Sequence, residues 1–320
     1  MMTNQRMRLC NLLLFLIVLG TNTILFAQKQ IITITPKVNE DNSVDFYYEK
    51  TKPGSYSVDL EFSNVNNCDI NDYKTVIRGN SGTLQKLRPL DKTKGISYSF
   101  RYNSIMGDLE PKVDSLFRYT LPFKNRKKVK IYEAGNIGEK YYGQDKVLNW
   151  KSYVVRSQTP DTICCMRRGI VVDLINEYDE SSSLNPEFTS RRNLVIIEHK
   201  DGTFAIYKGL KKNAVFVKLG QEIYPKTELG IMEKYDKGSY RLDFSVNYLF
   251  DKDFKSNKSQ TLKNYKSNYK YIKPYFITEE GEIQIESKND YTTLFTDAVI
   301  TQEFSKSEKK KYAKDPKLFK

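Results

Sequence analysis

The 320-residue chain carries 52 basic and 39 acidic side chains, a formal charge of +13, with 13% aromatic residues and Tyr alone numbering 23. That length suits one large core or two domains of ordinary size, and without a heptad pattern or compositional repeat it excludes a fibrous protein and reads as globular and β-rich. The basic excess favours acidic partners such as phospholipid headgroups or anionic glycans, but its scattered Lys residues accompany no recognised nucleic-acid-binding motif, which argues against nucleic acid.

Residues 1–27 read as a secretory signal peptide. Arg6 and Arg8 form a basic start, residues 9–20 are apolar, and Leu25-Phe26-Ala27 ends in a small residue suited to cleavage before Gln28. The apolar run is interrupted by Asn11 and Gly20 and falls short of the ~20 residues a membrane span needs. The expectation is an exported protein, in the periplasm or at the cell surface, that spans no membrane after cleavage. Loss of Arg6 and Arg8 lowers the charge to +11. Three cysteines remain, Cys68, Cys164 and Cys165. An exported protein that relied on disulfides would carry more, so they read as small apolar fillers, with a bond to Cys68 as the alternative.

From residue 28 to about 120 the pattern is alternation. Tyr56, Val58, Leu60 and Phe62 alternate with Ser57, Asp59 and Glu61, and Ile96, Tyr98, Phe100 and Tyr102 repeat the pattern. Pro53-Gly54 supplies a turn, and Glu40-Asp41-Asn42 breaks the chain before Val44. Half-buried antiparallel strands at this spacing predict a small β-sandwich of immunoglobulin-like architecture.

A second domain is expected over 121–304. Leu121-Pro122-Phe123 leads into a strand over 129–133; Cys164-Cys165 and Gly169-Ile170-Val171-Val172 follow, then an acidic, Ser/Asn-rich loop at 176–190. Next come the apolar strand from Asn193 to His199, the Asp201-Gly202 turn, Tyr207-Lys208-Gly209-Leu210, Val217-Lys218-Leu219-Gly220-Gln221, and Arg241-Leu242-Asp243-Phe244. A Lys-rich insertion occupies 250–270, and 305–320 reads as a basic, solvated tail. In order and spacing these segments resemble the M23 (LytM-like) zinc metallopeptidases of bacterial cell walls. That resemblance implies an all-β fold: a β-sandwich followed by an M23/LytM-like β-sheet domain of the duplicated-hybrid-motif type.

Such a zinc site needs three protein ligands and an open position at which metal-bound water is activated. Carried over residue by residue, the resemblance puts the loop Asp at Val154 and its partner His within 141–149, where there is none. It puts the His of the Tyr-x-His-Leu segment at Gly209, and the closing His-x-His pair at Arg241 and Asp243. The chain holds one histidine, His199, at a strand end. Its expected role is structural. A lone Arg241–Asp243 pair is expected to fill the space of the metal, with Arg241, Asp243, Tyr207 and Gly209 lining a groove. No cofactor is expected, zinc only if the family site persists in altered form.

These residues point to a degenerate, non-catalytic member of the family in the cell envelope, one that binds peptidoglycan or regulates a cell-wall hydrolase. Two alternatives are an active zinc metalloendopeptidase with substituted ligands and a structural or adhesive surface protein.

Overall fold

Side chains that alternate in sequence leave a strand on opposite faces, and this parity builds the first part of the protein. The computed structural model describes residues 30–136, 139, 150–180, 191–236, 238–254 and 267–319. The leader at 1–27, the stretch 141–149 and most of the Lys-rich insertion lie outside the described residues. Six strands run from residue 32 to 106: β1 (Ile32–Val38), β2 (Val44–Lys50), β3 (Tyr56–Asn66), β4 (Tyr73–Ile77), β5 (Ser81–Leu87) and β6 (Ser97–Met106). They form two three-stranded antiparallel sheets, ordered β1-β2-β5 and β4-β3-β6. Ile32, Ile34, Phe46, Val58, Leu60 and Leu87 are buried in a core shared by the two sheets. Phe46 meets Phe62 and Phe100 edge-on at ring-centroid distances of 5.3 and 5.1 Å, a favoured aromatic geometry.

Strands β7 (Arg118–Thr120), β8 (Lys128–Glu133), β9 (Tyr153–Ser157), β10 (Thr162–Cys164), β11 (Gly169–Ile175), β12 (Asn193–Glu198) and β13 (Thr203–Val215) follow. After them come β14 (Glu222–Ile223), β15 (Glu228–Met232), β16 (Tyr240–Leu249), β17 (Tyr269–Tyr271), β18 (Tyr275–Thr278), β19 (Gly281–Gln284) and β20 (Asn289–Thr292). The large sheet runs β14-β11-β12-β13-β16-β9-β8-β20, with β10, β15 and β17 off that path, and β19-β18-β7 forms a further small sheet. One face of the large sheet buries Tyr153, Val155, Val195, Ile197, Ala205, Tyr207, Leu242, Phe244 and Val246 in a second core. The described chain is nearly all β.

Residues 32–320 form one compact unit holding both cores. The Pro53-Gly54 turn joins them. Gly54 has φ +88°, and a Cβ there would strike the Val172 side chain. Beside it Ser55 N donates to Glu198 Oε2 (2.8 Å), and Lys52 pairs with Asp173 (2.6 Å). Tyr269 Oη donates to Met106 O (2.7 Å) at a second contact.

Two expectations are corrected. Residues 305–320 are not a solvated tail. After the short helix α1 (Asp297–Ile300), Ser305 and Glu308 form a capping box that starts α2 (Lys306–Lys314). Phe304, Tyr312 and Phe319 are buried with Ile300 against Tyr224; the lysines point outward while the aromatic residues carry the docking. All three described cysteines are free, so the alternative of a bond to Cys68 falls. Cys165 Sγ donates to Arg167 O (2.8 Å), and burial pushes the thiols of Cys164 and Cys165 up to about 12, which leaves them inert at neutral pH.

Candidate functional site

The register of the large sheet brings the positions singled out in the sequence into one row. Val154 on β9 lies opposite Asp243 on β16, Asp243 opposite Lys208 on β13, and Lys208 opposite Leu194 on β12. Parity fixes the face. Leu242 and Phe244 are in the core, so Arg241 and Asp243 leave the strand on the other side, and Arg241 Nε donates to Asp243 Oδ1 (2.8 Å). Val154 is buried and apolar, at 7% exposure.

The dominant group is one that the sequence reading missed. Arg192, on the segment leading into β12, reaches across the row with a side chain only 4% exposed. Its Nη1 pairs with Asp243 Oδ2, its Nε with Glu233 Oε1, and its Nη2 donates to Arg241 O (2.9 Å). Tyr235 is flanked by the guanidinium carbons of Arg241 (4.6 Å), Arg192 (5.0 Å) and Arg156 (5.6 Å), cation–π distances. Burial pushes the Glu233 carboxyl up, against the pull of Arg192. Burial, then the charge of Arg192, pushes the Lys208 ammonium below its ordinary range.

Two sequence assignments change. Tyr207 does not line a groove: it faces the core opposite Phe244, fully buried, and Met166 N donates to its hydroxyl (2.9 Å). The outward residue of that pair of positions is Lys208. Gly209 does not leave an opening either. It has φ +113°, and a Cβ would fall on Arg192 Nη2 and the Arg241 carbonyl, so the Arg192 guanidinium occupies the space where a side chain from that position would project.

His199 is buried at the far end of β12, with Nδ1 2.7 Å from Arg168 O and Nε2 without a hydrogen bond. Burial, then the neighbouring Arg167 charge, pushes its pKa down to about 3. The ring is therefore neutral at physiological pH, with Nδ1–H donating to the carbonyl. Arg167 beside it is ion-paired with Asp201 and Glu303, both at 2.8 Å. Arg192 and His199 stand at opposite ends of β12, roughly 20 Å apart along a strand, so His199 takes no part in the row.

These residues do not fit a zinc ion. Val154, the position that the sequence resemblance assigns to a ligand, has no donor atom, and both oxygens of Asp243 are held by guanidinium groups. A divalent cation there would displace Arg192 or Arg241 and meet the repulsion of Lys208. No cluster of three or more His, Cys, Asp or Glu able to hold a metal occurs among the described residues.

No protein-family model matches the chain, and no curated protein matches it. Among solved structures it is similar to a peptidase M23 from Pseudomonas aeruginosa, at 12% identity and a TM-score of 0.25 over 59% of this chain and 82% of that one. A zinc-containing peptidase from Vibrio cholerae gives 13% identity and a TM-score of 0.24 over 67% and 77%. Csd3 of Helicobacter pylori gives 11% identity and 0.28 over 90% and 78%. Overlays this loose settle neither family nor activity.

Removing the Arg192 charge leaves Glu233 buried without a partner and Asp243 half compensated. Arg192→Met is expected to cost about 3 kcal/mol in denaturant unfolding, against about 1 kcal/mol or less for Arg241→Ala at the half-exposed end of the network. Gly209→Ala, which meets both strain and the Arg241 carbonyl, is expected to cost about 2 kcal/mol or more. Equal, small losses for all three would show that Arg192 is not locked in this geometry.

The single histidine also sets a pH dependence. Its folded pKa, about 3, lies below the unfolded value of 6.5, so between these values the unfolded chain binds the extra proton and stability falls as pH falls. The slope from this group approaches about 1.4 kcal/mol per pH unit. Glu233, raised by burial, acts in the opposite sense nearer the carboxylate range. Unfolding free energy measured from pH 6.5 to 5 should therefore decline in the wild type and flatten in His199→Asn; parallel curves would place the titration elsewhere.

Proposed function

We propose that this chain is a non-catalytic, M23 peptidase-like protein of the bacterial cell envelope, exported to the periplasm or cell surface, that binds peptidoglycan or regulates a cell-wall hydrolase. The observation that carries this reading is Arg192. At the positions that the sequence resemblance assigns to metal ligands stand Val154 and an Asp243 neutralised by two arginines, and the Arg192 guanidinium fills the space beside Gly209. A site so filled has no open coordination position at which water could be activated.

We read residues 28–120 as an immunoglobulin-like sandwich, a reading supported by the two three-stranded antiparallel sheets, β1-β2-β5 and β4-β3-β6, that share one core. Residues 121–304 are then the peptidase-like domain. No helix among the described residues is long and apolar enough to cross a membrane.

Cosedimentation of the purified full chain with isolated sacculi tests the reading. The protein is expected in the pellet, with no soluble muropeptides released over time, and Arg241→Ala is expected to lower the bound fraction. Time-dependent release of muropeptides by the wild type would contradict it. Absence from the pellet would shift the proposal to the hydrolase partner, to be sought by pull-down from envelope extracts.

A further inference from the structure

The row across β9, β16 and β13 contains one more cation than it can pair. The charged groups that act on Lys208 are Arg192, Arg241, Asp243 and Glu233. Arg192 is consumed by Glu233 and Asp243, and Arg241 Nε by the second oxygen of Asp243. Lys208 sits directly opposite Asp243, yet its ammonium makes no hydrogen bond or ion pair among the described residues; each oxygen of Asp243 is taken by a guanidinium instead. The terminal nitrogens of Arg241 likewise donate to nothing among the described residues, on a side chain 20% exposed.

We propose that Lys208 and Arg241 form a subsite for the carboxylate of a peptide ligand, built on the outer face of the large sheet. The inference rests on the reading of this face as a peptidoglycan-binding surface and deepens it by naming the group recognised. Arg241 offers a planar fork already held in orientation by Asp243, and Lys208 a point charge beside it; together they suit a planar, two-oxygen anion. Leu194, next to Lys208 in the row and partly exposed, supplies an apolar flank for a small aliphatic side chain beside that carboxylate. Lys208 is half-buried, and burial with the Arg192 charge disfavours its ammonium. The charges of Asp243 and Glu233 offset that penalty in part, and an incoming carboxylate in direct contact would add to them. The surplus is thus a property of the arrangement, independent of the net charge of the chain.

The probes are acetyl-D-alanyl-D-alanine as the free acid and the same dipeptide as its C-terminal amide, titrated against the full chain by NMR chemical-shift perturbation. The free acid is expected to bind about tenfold more tightly than the amide. Lys208→Met, which keeps the length and loses the charge, should bring the acid down to the affinity of the amide, whereas Lys208→Arg should hold it within about threefold of wild type. Unfolding midpoints of the variants separate a lost contact from a lost fold. Equal binding of acid and amide, an unchanged affinity in Lys208→Met, or no binding of either form would overturn the subsite. Sacculus cosedimentation run in parallel keeps the two failures apart: sacculi retained with no preference for the acid removes the subsite alone, and loss of both removes the peptidoglycan reading with it.

Discussion

A guanidinium buried between strands must find acceptors for the N–H groups along its edge, and the way Arg192 does so organises one end of the large sheet. It spans Glu233, Asp243 and the carbonyl of Arg241, three groups that come from segments some 40 to 50 residues further along the chain. Gly209 follows from it, since only a residue without a side chain leaves room for the guanidinium. So does the burial of Glu233, which a carboxylate tolerates only when paired. The engagement of Asp243 Oδ2 is a further consequence. A buried ion pair of this kind adds little net stability compared with apolar packing, but breaking it is costly. We read the network as fixing the geometry of this face.

The opposite end of β12 has a second buried arginine with a different task. Arg167 pairs with Asp201 from the turn after His199 and with Glu303 from the segment just before α2, and its guanidinium carbon lies 3.7 Å from the Phe117 ring centroid. This cluster ties the C-terminal helices to the sheet. The Arg167 charge adds to the effect of burial in keeping His199 neutral, against the pull of the Arg168 carbonyl. The two arginines divide the work along one strand: Arg167 holds the C-terminal segment to the sheet, and Arg192 fixes the carboxylates beneath Arg241.

Much of the fold was legible because strand parity was. The alternation at Tyr56, Val58 and Leu60 marked β3, and Leu242 and Phe244 marked the core face of β16, which placed Arg241 and Asp243 on the outer face. The same rule, applied to the partner strand, would have selected Lys208 in place of Tyr207, since Tyr207 lies opposite the core residue Phe244. Arg192 was not legible: its partners lie far away in sequence, and an arginine before a strand looks like any solvated loop residue. The C-terminal segment misled through composition. Seven lysines masked Tyr312 and Phe319, although Ser305 and Glu308 at capping-box spacing announced a helix.

The central claim is that the Arg192 network stands where the sequence resemblance would put a metal, and the metal content of the protein tests it most directly. Elemental analysis of the full chain, purified without chelators and dialysed against buffer containing zinc, should find no stoichiometric metal, and Asp243→Ala should change nothing. One equivalent of tightly held zinc, lost on Asp243→Ala, would contradict the account.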